Sequence, residues 1–325
     1  MKKIRTAIYS FLLVLSFIFS ALTIPLSTGY DLGVHDASVF YSTQYLMQPT
    51  ELDEIHYALQ QVRNMFSQQQ IIYFLPTSPP FPLYAEPVYG HLENFEAQTT
   101  LSLLTSQIVD CEVNHEFSTV FYYGHQNMRG VGLPWPERSY GFVEQAAPDA
   151  DPETVGTIWD SDIYYAPTVD NHHFIFLWTC NSGNTAGSLD PLHGMPISWT
   201  RQNLSTDGYH DPDESSYCFI SFQNHSATFI ENLGVPNQIY KYWMVFFYYY
   251  ALQLQYSIND ALDYASYAVG YDGGWSDPDN RLSGDGYPYL WYGGGNLTEG
   301  GYWGKMRIYG NGDIHLPVTR GEWVT

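Results

Sequence analysis

The twelve residues from His172 to Gly183 (HHFIFLWTCNSG) constrain the fold more than any other stretch of the chain. After the two histidines the run is apolar without alternation and rich in aromatic and β-branched side chains, so a strand formed here hides both of its faces. Such a strand belongs in a parallel or mostly parallel sheet covered by helices on both sides. The run stops at Thr179-Cys180 and a small polar turn, Asn181-Ser182-Gly183. A second run, Phe117–Tyr123 (FSTVFYY), has the same shape and stops at Gly124-His125. Together they deliver a thiol and an imidazole to the edge of a sheet.

The rest of the chain agrees with that architecture. Ala37–Tyr41 reads as a first short strand, and Pro49-Thr50-Glu51 opens a helix to about Gln68, with Leu52, Ile55, Leu59, Val62 and Phe66 at helical spacing. Ile71–Leu75 is a short strand closed by a proline-rich segment, and a helix is expected from Glu93 to about Val109. Residues 126–170 read as a long polar and aromatic connection, of the kind that is usually functional. Tyr217–Gln223 is another buried strand. The region from Ile239 to Val269 is the strongest helical signal, with a break near Ser257. Its first half is apolar nearly all round but is interrupted by Lys241, so it reads as a core helix rather than a membrane span. A glycine-rich region, 270–304, precedes a closing strand or hairpin at Met306–Tyr309 and Asp313–Leu316.

The amino terminus has the pattern of an export signal. Lys2, Lys3 and Arg5 precede an apolar run from Ala7 to Leu22, and small residues follow. Residues 1–29 are therefore expected to be a signal peptide, or an uncleaved membrane anchor, ahead of a single domain over 30–325. The expected location is secreted or at the cell surface. Those three residues are part of the 12 basic ones, so the remainder sets 9 basic against 34 acidic, a net −25. A surface of that sign repels nucleic acid and anionic membranes, and neither is an expected partner beyond the amino-terminal anchor itself.

Three cysteines are too few for a disulfide scaffold, and an odd number leaves at least one thiol without an intrachain partner. Either Cys111 pairs with Cys218 and leaves Cys180 free, or all three are reduced. Asn203, Asn224 and Asn296 stand in glycosylation-acceptor patterns, a weak signal of surface exposure. His172-His173 has no regular ligand spacing around it and reads as structural. Asp272, Asp277, Asp279, Asn280 and Asp285 cluster in the glycine-rich region and carry the oxygen ligands that calcium takes. Their spacing does not match an EF-hand loop, so a solvated acidic turn is the preferred reading and no cofactor is expected.

The chemistry that remains is that of Cys180 and His125. Ligands of open α/β sheets bind outside the carboxyl ends of the strands, where both residues fall. A thiol becomes a nucleophile when a neighbouring imidazole takes its proton, and the same imidazole then protonates a leaving amine. The bland alternative stays open on the residues alone, since a buried cysteine is normally a small hydrophobe.

A hydrophobic strand ending in Gly-His (FYYGHQ, Phe121–Gln126) and, 55 residues after the histidine, one ending in Cys (FLWTCNSG, Phe176–Gly183) resemble the caspase-like superfamily of cysteine peptidases. YCFISFQNHS is placed like that family's strand after the nucleophile. FFYYYALQLQYSINDALDYAS and MRIYGNGDIHLPV are similar to helical and closing segments of gingipain-type and CHAT-domain relatives. The resemblance covers roughly residues 37–317. It implies a three-layer α/β fold and an endopeptidase in which Cys180 is the nucleophile and His125 the general base and acid. It also implies an oxyanion hole made by the backbone N–H groups of Gln126 and Cys180. The resemblance further suggests that Trp159–Asp162 lies where relatives contact substrate, so Asp160, Asp162 and Trp178 are candidate pocket residues and a peptide or protein is the expected substrate. Gln126 stands where most active relatives carry glycine, and Trp178-Thr179 replaces acidic or small residues. Those departures leave a second expectation beside the first, an inactive homologue that binds peptides or partner proteins. An exported thiol esterase or transpeptidase is a third.

Overall fold

Each buried run of the sequence becomes a strand of one central sheet, and the helices that separate them pack on its two faces. The computed structural model describes residues 35–42, 49–77, 79–91, 100–106, 117–129, 139–143, 156–165, 172–183, 194–200, 217–222, 226, 229, 240–268, 292–294, 302–304 and 306–323. The expected signal or anchor, most of the helix at 93–109, Cys111, the three acceptor asparagines and the Asp272–Asp285 cluster lie outside the described residues.

In chain order, β1 (His35–Tyr41) is followed by α1 (Pro49–Ser67), β2 (Gln70–Leu75), β3 (Phe81–Pro87) and β4 (Tyr89–His91). A helical turn at 101–106 precedes β5 (Phe117–Tyr123), β6 (Gln126–Arg129), β7 (Ser139–Val143), β8 (Thr157–Trp159) and α2 (Asp160–Tyr165). Then come β9 (His172–Trp178), α3 (Met195–Thr200), β10 (Cys218–Phe222) and α4 (Tyr240–Tyr248). α4 continues as a π-helical turn, Tyr249–Gln253; after a break at 254–257 comes α5 (Ile258–Ala268), and β11 (Tyr292–Gly294), β12 (Tyr302–Gly304), β13 (Met306–Gly310) and β14 (Arg320–Trp323) close the chain.

Six of these strands form the central sheet in the order β13-β10-β9-β5-β1-β4. Every neighbouring pair is parallel except the last-formed, β10 with β13. The fold is thus mixed α/β with a mostly parallel sheet. The alternation of side chains along each strand divides the core in two. Ala37, Val39, Tyr41, Phe121, Tyr123, Phe174, Phe176 and Trp178 face one way and pack against Ile55, Leu59, Val62 and Phe66 of α1 and Trp243, Met244 and Phe247 of α4. Phe40, Val120, Tyr122, Ile175, Leu177 and Phe219 face the other way, against Ile163 of α2 and Met195 and Trp199 of α3. Helices therefore cover both faces, which is why the strands lack an alternating polar pattern.

Several stretches differ from the sequence expectation. The connection 126–170 holds a three-stranded antiparallel sheet, β6-β7-β8, and α2. Its strands have only three to five residues, too few for a period to show. They sit so close that a Cβ on Gly141 would come within 2.8 Å of the Ile158 carbonyl oxygen. The proline-rich segment after β2 turns back as β3 and pairs with β2, while β14 adds to the other side of β2. Proline is confined to sheet edges because it has no N–H to donate, and β3, with Pro82 and Pro87, is the outer strand of that group.

The expected second strand at Asp313–Leu316 is instead a capping segment for α5. The Asp313 N–H donates to Asn311 Oδ1, and the Ile258 and Asn259 N–H groups at the start of α5 donate to Ile314 and Gly312 carbonyls at 3.0 and 2.8 Å. These bonds satisfy orphan donors of a helix start. His173 is structural as expected: Nε2 lies 3.2 Å from the His315 carbonyl oxygen. Cys218 is a fully buried free thiol.

Candidate functional site

β5 and β9 are neighbours and run parallel in a register that sets Tyr123 opposite Trp178. The ladder continues one step past the strands, where the Gly124 N–H donates to the Trp178 carbonyl at 3.3 Å. His125 and Cys180 each lie two residues beyond the paired positions, so both follow the carboxyl ends of neighbouring parallel strands. Both ends are cut to shape locally. A Cβ on Gly124 would collide with the Tyr122 hydroxyl, and that hydroxyl donates to the His125 carbonyl at 3.5 Å.

The turn after β9 presents the thiol. Asn181 has φ 54°, the left-handed region that asparagine tolerates better than most residues. That reversal turns the chain sharply after Cys180, whose side chain is half-buried. Ser182 is buried; its hydroxyl donates to the Thr179 carbonyl at 3.0 Å and contacts the Ser221 hydroxyl, which itself donates to the Leu177 carbonyl at 2.8 Å. Gly183 is pinned from both sides, its N–H donating to the Phe222 carbonyl at 2.9 Å and its carbonyl accepting from the Tyr309 hydroxyl. A Cβ there would sit 3.0 Å from the Phe222 carbonyl carbon and 3.1 Å from its oxygen, both backbone atoms that have little room to yield. Each residue of Cys-Asn-Ser-Gly thus has a physical task, and the product is a thiol held at a rigid corner.

A third segment approaches the sulfur. Ser226 lies beyond the end of β10, the strand next to β9, and its N–H donates to Cys180 Sγ at 3.2 Å. Its hydroxyl is 3.5 Å from the same sulfur. Three residues on, the Phe229 ring packs on Tyr123 and Trp178 with centroids 4.2 and 5.3 Å apart. The Phe229 N–H donates to the Tyr123 hydroxyl at 3.3 Å, and that hydroxyl donates to buried Glu51 Oε1 at 2.7 Å.

Gln126, the other expected oxyanion donor, opens β6 opposite Phe142. Its side chain is half-buried, with Oε1 enclosed and without a hydrogen-bond partner among the described residues. The Thr179 hydroxyl, next to Cys180, is enclosed in the same way.

The candidate pocket residues are placed differently. Trp178 is 1 % exposed and shares its face of β9 with Phe174 and Phe176, so its indole lies in the core against Phe222, Tyr240 and Trp243. Asp160 is fully buried, and its carboxylate accepts N–H bonds from Ser161 at 2.9 Å and Gly194 at 3.1 Å, tying α2 to the entrance of α3. Asp162 is half-buried and accepts from the Trp159 N–H at 2.8 Å. The carboxylates are spent on backbone donors near a helix start, where negative charge is favoured. Among the described residues there is no group of three or more His, Cys, Asp or Glu arranged to hold a metal ion, and no helix long and apolar enough to cross a membrane.

Ser226 is the site residue that sequence reasoning missed. It stood in view inside Asn224-His225-Ser226, read as a glycosylation acceptor. The usable signal was its distance of a few residues past a buried strand that neighbours the cysteine strand.

No protein-family model matches the chain, and no curated protein matches it.

Proposed function

We propose that the chain is an exported cysteine endopeptidase of caspase-like, three-layer fold, acting through a Cys180–His125 dyad. The observation that carries this reading is the parallel register of β5 and β9, which brings a half-buried thiol and an imidazole-bearing residue to the same level of one sheet edge. Support for the three-layer fold comes from the helices on both faces of a mostly parallel sheet.

In the reaction, the imidazole of His125 takes the Cys180 proton and the sulfur attacks the peptide carbonyl carbon. The resulting oxyanion is held by backbone N–H groups of Gln126 and Cys180. Collapse of the tetrahedral intermediate breaks the C–N bond as His125 returns its proton to the leaving amine, and a thioester remains on Cys180. Water, deprotonated by the same imidazole, attacks the thioester, releasing the carboxylic acid and restoring the thiol.

The test is covalent labelling by a thiol-directed peptidyl probe. Wild type labels and Cys180→Ala does not. Equal labelling of the two, or none of wild type, removes the mechanism. A second reading, a non-catalytic homologue that binds peptides, is favoured by one observation: a half-buried glutamine side chain stands directly after His125, where most active relatives of the resembled superfamily carry glycine. It predicts peptide binding that survives Cys180→Ala, with no turnover.

A further inference from the structure

We propose that Ser226 is the residue that holds the Cys180 sulfur in its reactive form, a role that rests on the peptidase reading of the same corner. Two polar groups of one residue converge on the sulfur: the backbone N–H donates to it at 3.2 Å, and the hydroxyl lies 3.5 Å away. A thiolate is an acceptor only, so once the proton leaves the hydroxyl can only donate to the sulfur and both bonds strengthen. His125 takes the proton from one side of the corner, and Ser226 stabilises the charge that is left behind.

The seat of Ser226 is fixed by the same two strands that carry the dyad. Phe229 wedges its ring against Tyr123 and Trp178, the residues two positions before His125 and Cys180. Its backbone is held at both ends, the N–H by the Tyr123 hydroxyl and the carbonyl by the Lys241 N–H at the start of α4, at 3.2 Å. Tyr123 is in turn bonded to Glu51 in the first turn of α1. Glu51 and Tyr123 are therefore positioning residues. They set the distance from which Ser226 reaches the thiol. Any substrate whose carbonyl comes within bonding range of Cys180 also meets Ser226, so Ser226 borders the acyl-binding position.

The experiment measures the alkylation rate of Cys180 by iodoacetamide against pH, resolved to that cysteine by peptide mass spectrometry. This reads the thiol itself and does not require peptide turnover. Ser226→Ala, which keeps the N–H, should lower the rate, by about tenfold at pH 6, the scale of one hydrogen bond to a charged group. Ser226→Thr should restore the wild-type profile, a rescue that a merely structural role does not require. Tyr123→Phe should lower the rate in the same way with the near-ultraviolet circular dichroism unchanged. Ser226→Ala and Tyr123→Phe profiles that overlay wild type overturn the proposal. Failure of wild type to take a peptidyl probe, together with lowered alkylation rates, removes the peptidase reading and leaves the role of Ser226 standing.

Discussion

Tyr123 and Trp178 stand opposite each other as the last residues of two neighbouring parallel strands, and one phenylalanine, Phe229, packs on both rings. The geometry of the candidate site follows from that pair. Whatever tilts one strand end against the other moves His125 relative to Cys180, and whatever displaces Phe229 moves Ser226.

Trp178 is accordingly a core residue whose loss is felt at the site. Trp178→Ala removes an indole packed against Phe222, Phe229, Tyr240 and Trp243, and should cost about 3–5 kcal/mol of stability. Urea denaturation checks the figure. Trp178→Phe should recover more than half of it and most of the labelling at Cys180. A Trp178→Ala variant as stable as wild type contradicts the packing described.

Gly183 should tolerate no side chain. A methyl group there meets backbone atoms of Phe222 at 3.0 and 3.1 Å, so Gly183→Ala should destabilise by about 1–3 kcal/mol and slow probe labelling of Cys180 as the corner shifts. A variant with wild-type midpoint and wild-type labelling rate argues against the close approach.

The two described thiols should differ sharply in reactivity. Cys180 is half-buried, whereas Cys218 is enclosed, and burial, with a smaller contribution from Asp313, pushes the Cys218 thiol far above its ordinary range. Native protein treated with a small alkylating agent at pH 8 should be modified at Cys180 within minutes. Cys218 should react only once denaturant unfolds the chain. Modification of Cys218 in the native state at a similar rate would mean that this face of the core opens readily.

Alkaline pH should destabilise the fold. Tyr89 and Tyr248 are buried, and desolvation raises both hydroxyls well above the ordinary value of 10.0. Below pH 10 the folded and unfolded chains both keep these protons, and stability is flat on their account. Above it the unfolded chain releases protons that the folded one retains, so stability falls as pH rises, by about 1.4 kcal/mol per pH unit for each group. Urea midpoints at pH 8, 10 and 11 measure the slope. Tyr248→Phe should remove its share of the slope and leave that of Tyr89. Because the Tyr248 hydroxyl has no hydrogen-bond partner among the described residues, the same change should leave neutral-pH stability equal or raised by about 1 kcal/mol. A loss of stability in Tyr248→Phe at pH 8 would show a partner for that hydroxyl.

The strands of the central sheet other than β4 were legible because burial on both faces leaves an unbroken apolar run, as in Phe174–Leu177, and helix α1 because its apolar residues recur every three or four positions. The corner was legible for a related reason: a buried run that stops at Cys180 or His125 must put that residue at a strand end. What escaped were features decided between segments. β6, β7 and β8 are too short to carry a period, and β3 begins among prolines. Ser226 acquires its role only through the neighbouring strand. Trp178 was grouped with Asp160 and Asp162 as a pocket residue through the resemblance, although alternation along β9 gives it the same face as Phe174 and Phe176, which is core.

The outer strand of the smaller sheet has one more consequence. β3 exposes Phe81, Leu83 and Tyr84 along an edge, the composition from which chains recruit foreign strands into aggregates. Pro82 and Pro87 sit within that strand and cannot donate to an incoming ladder. The prolines therefore act as gatekeepers: they let the edge stay apolar while denying it the regular row of donors that a fibril would need for its first added strand.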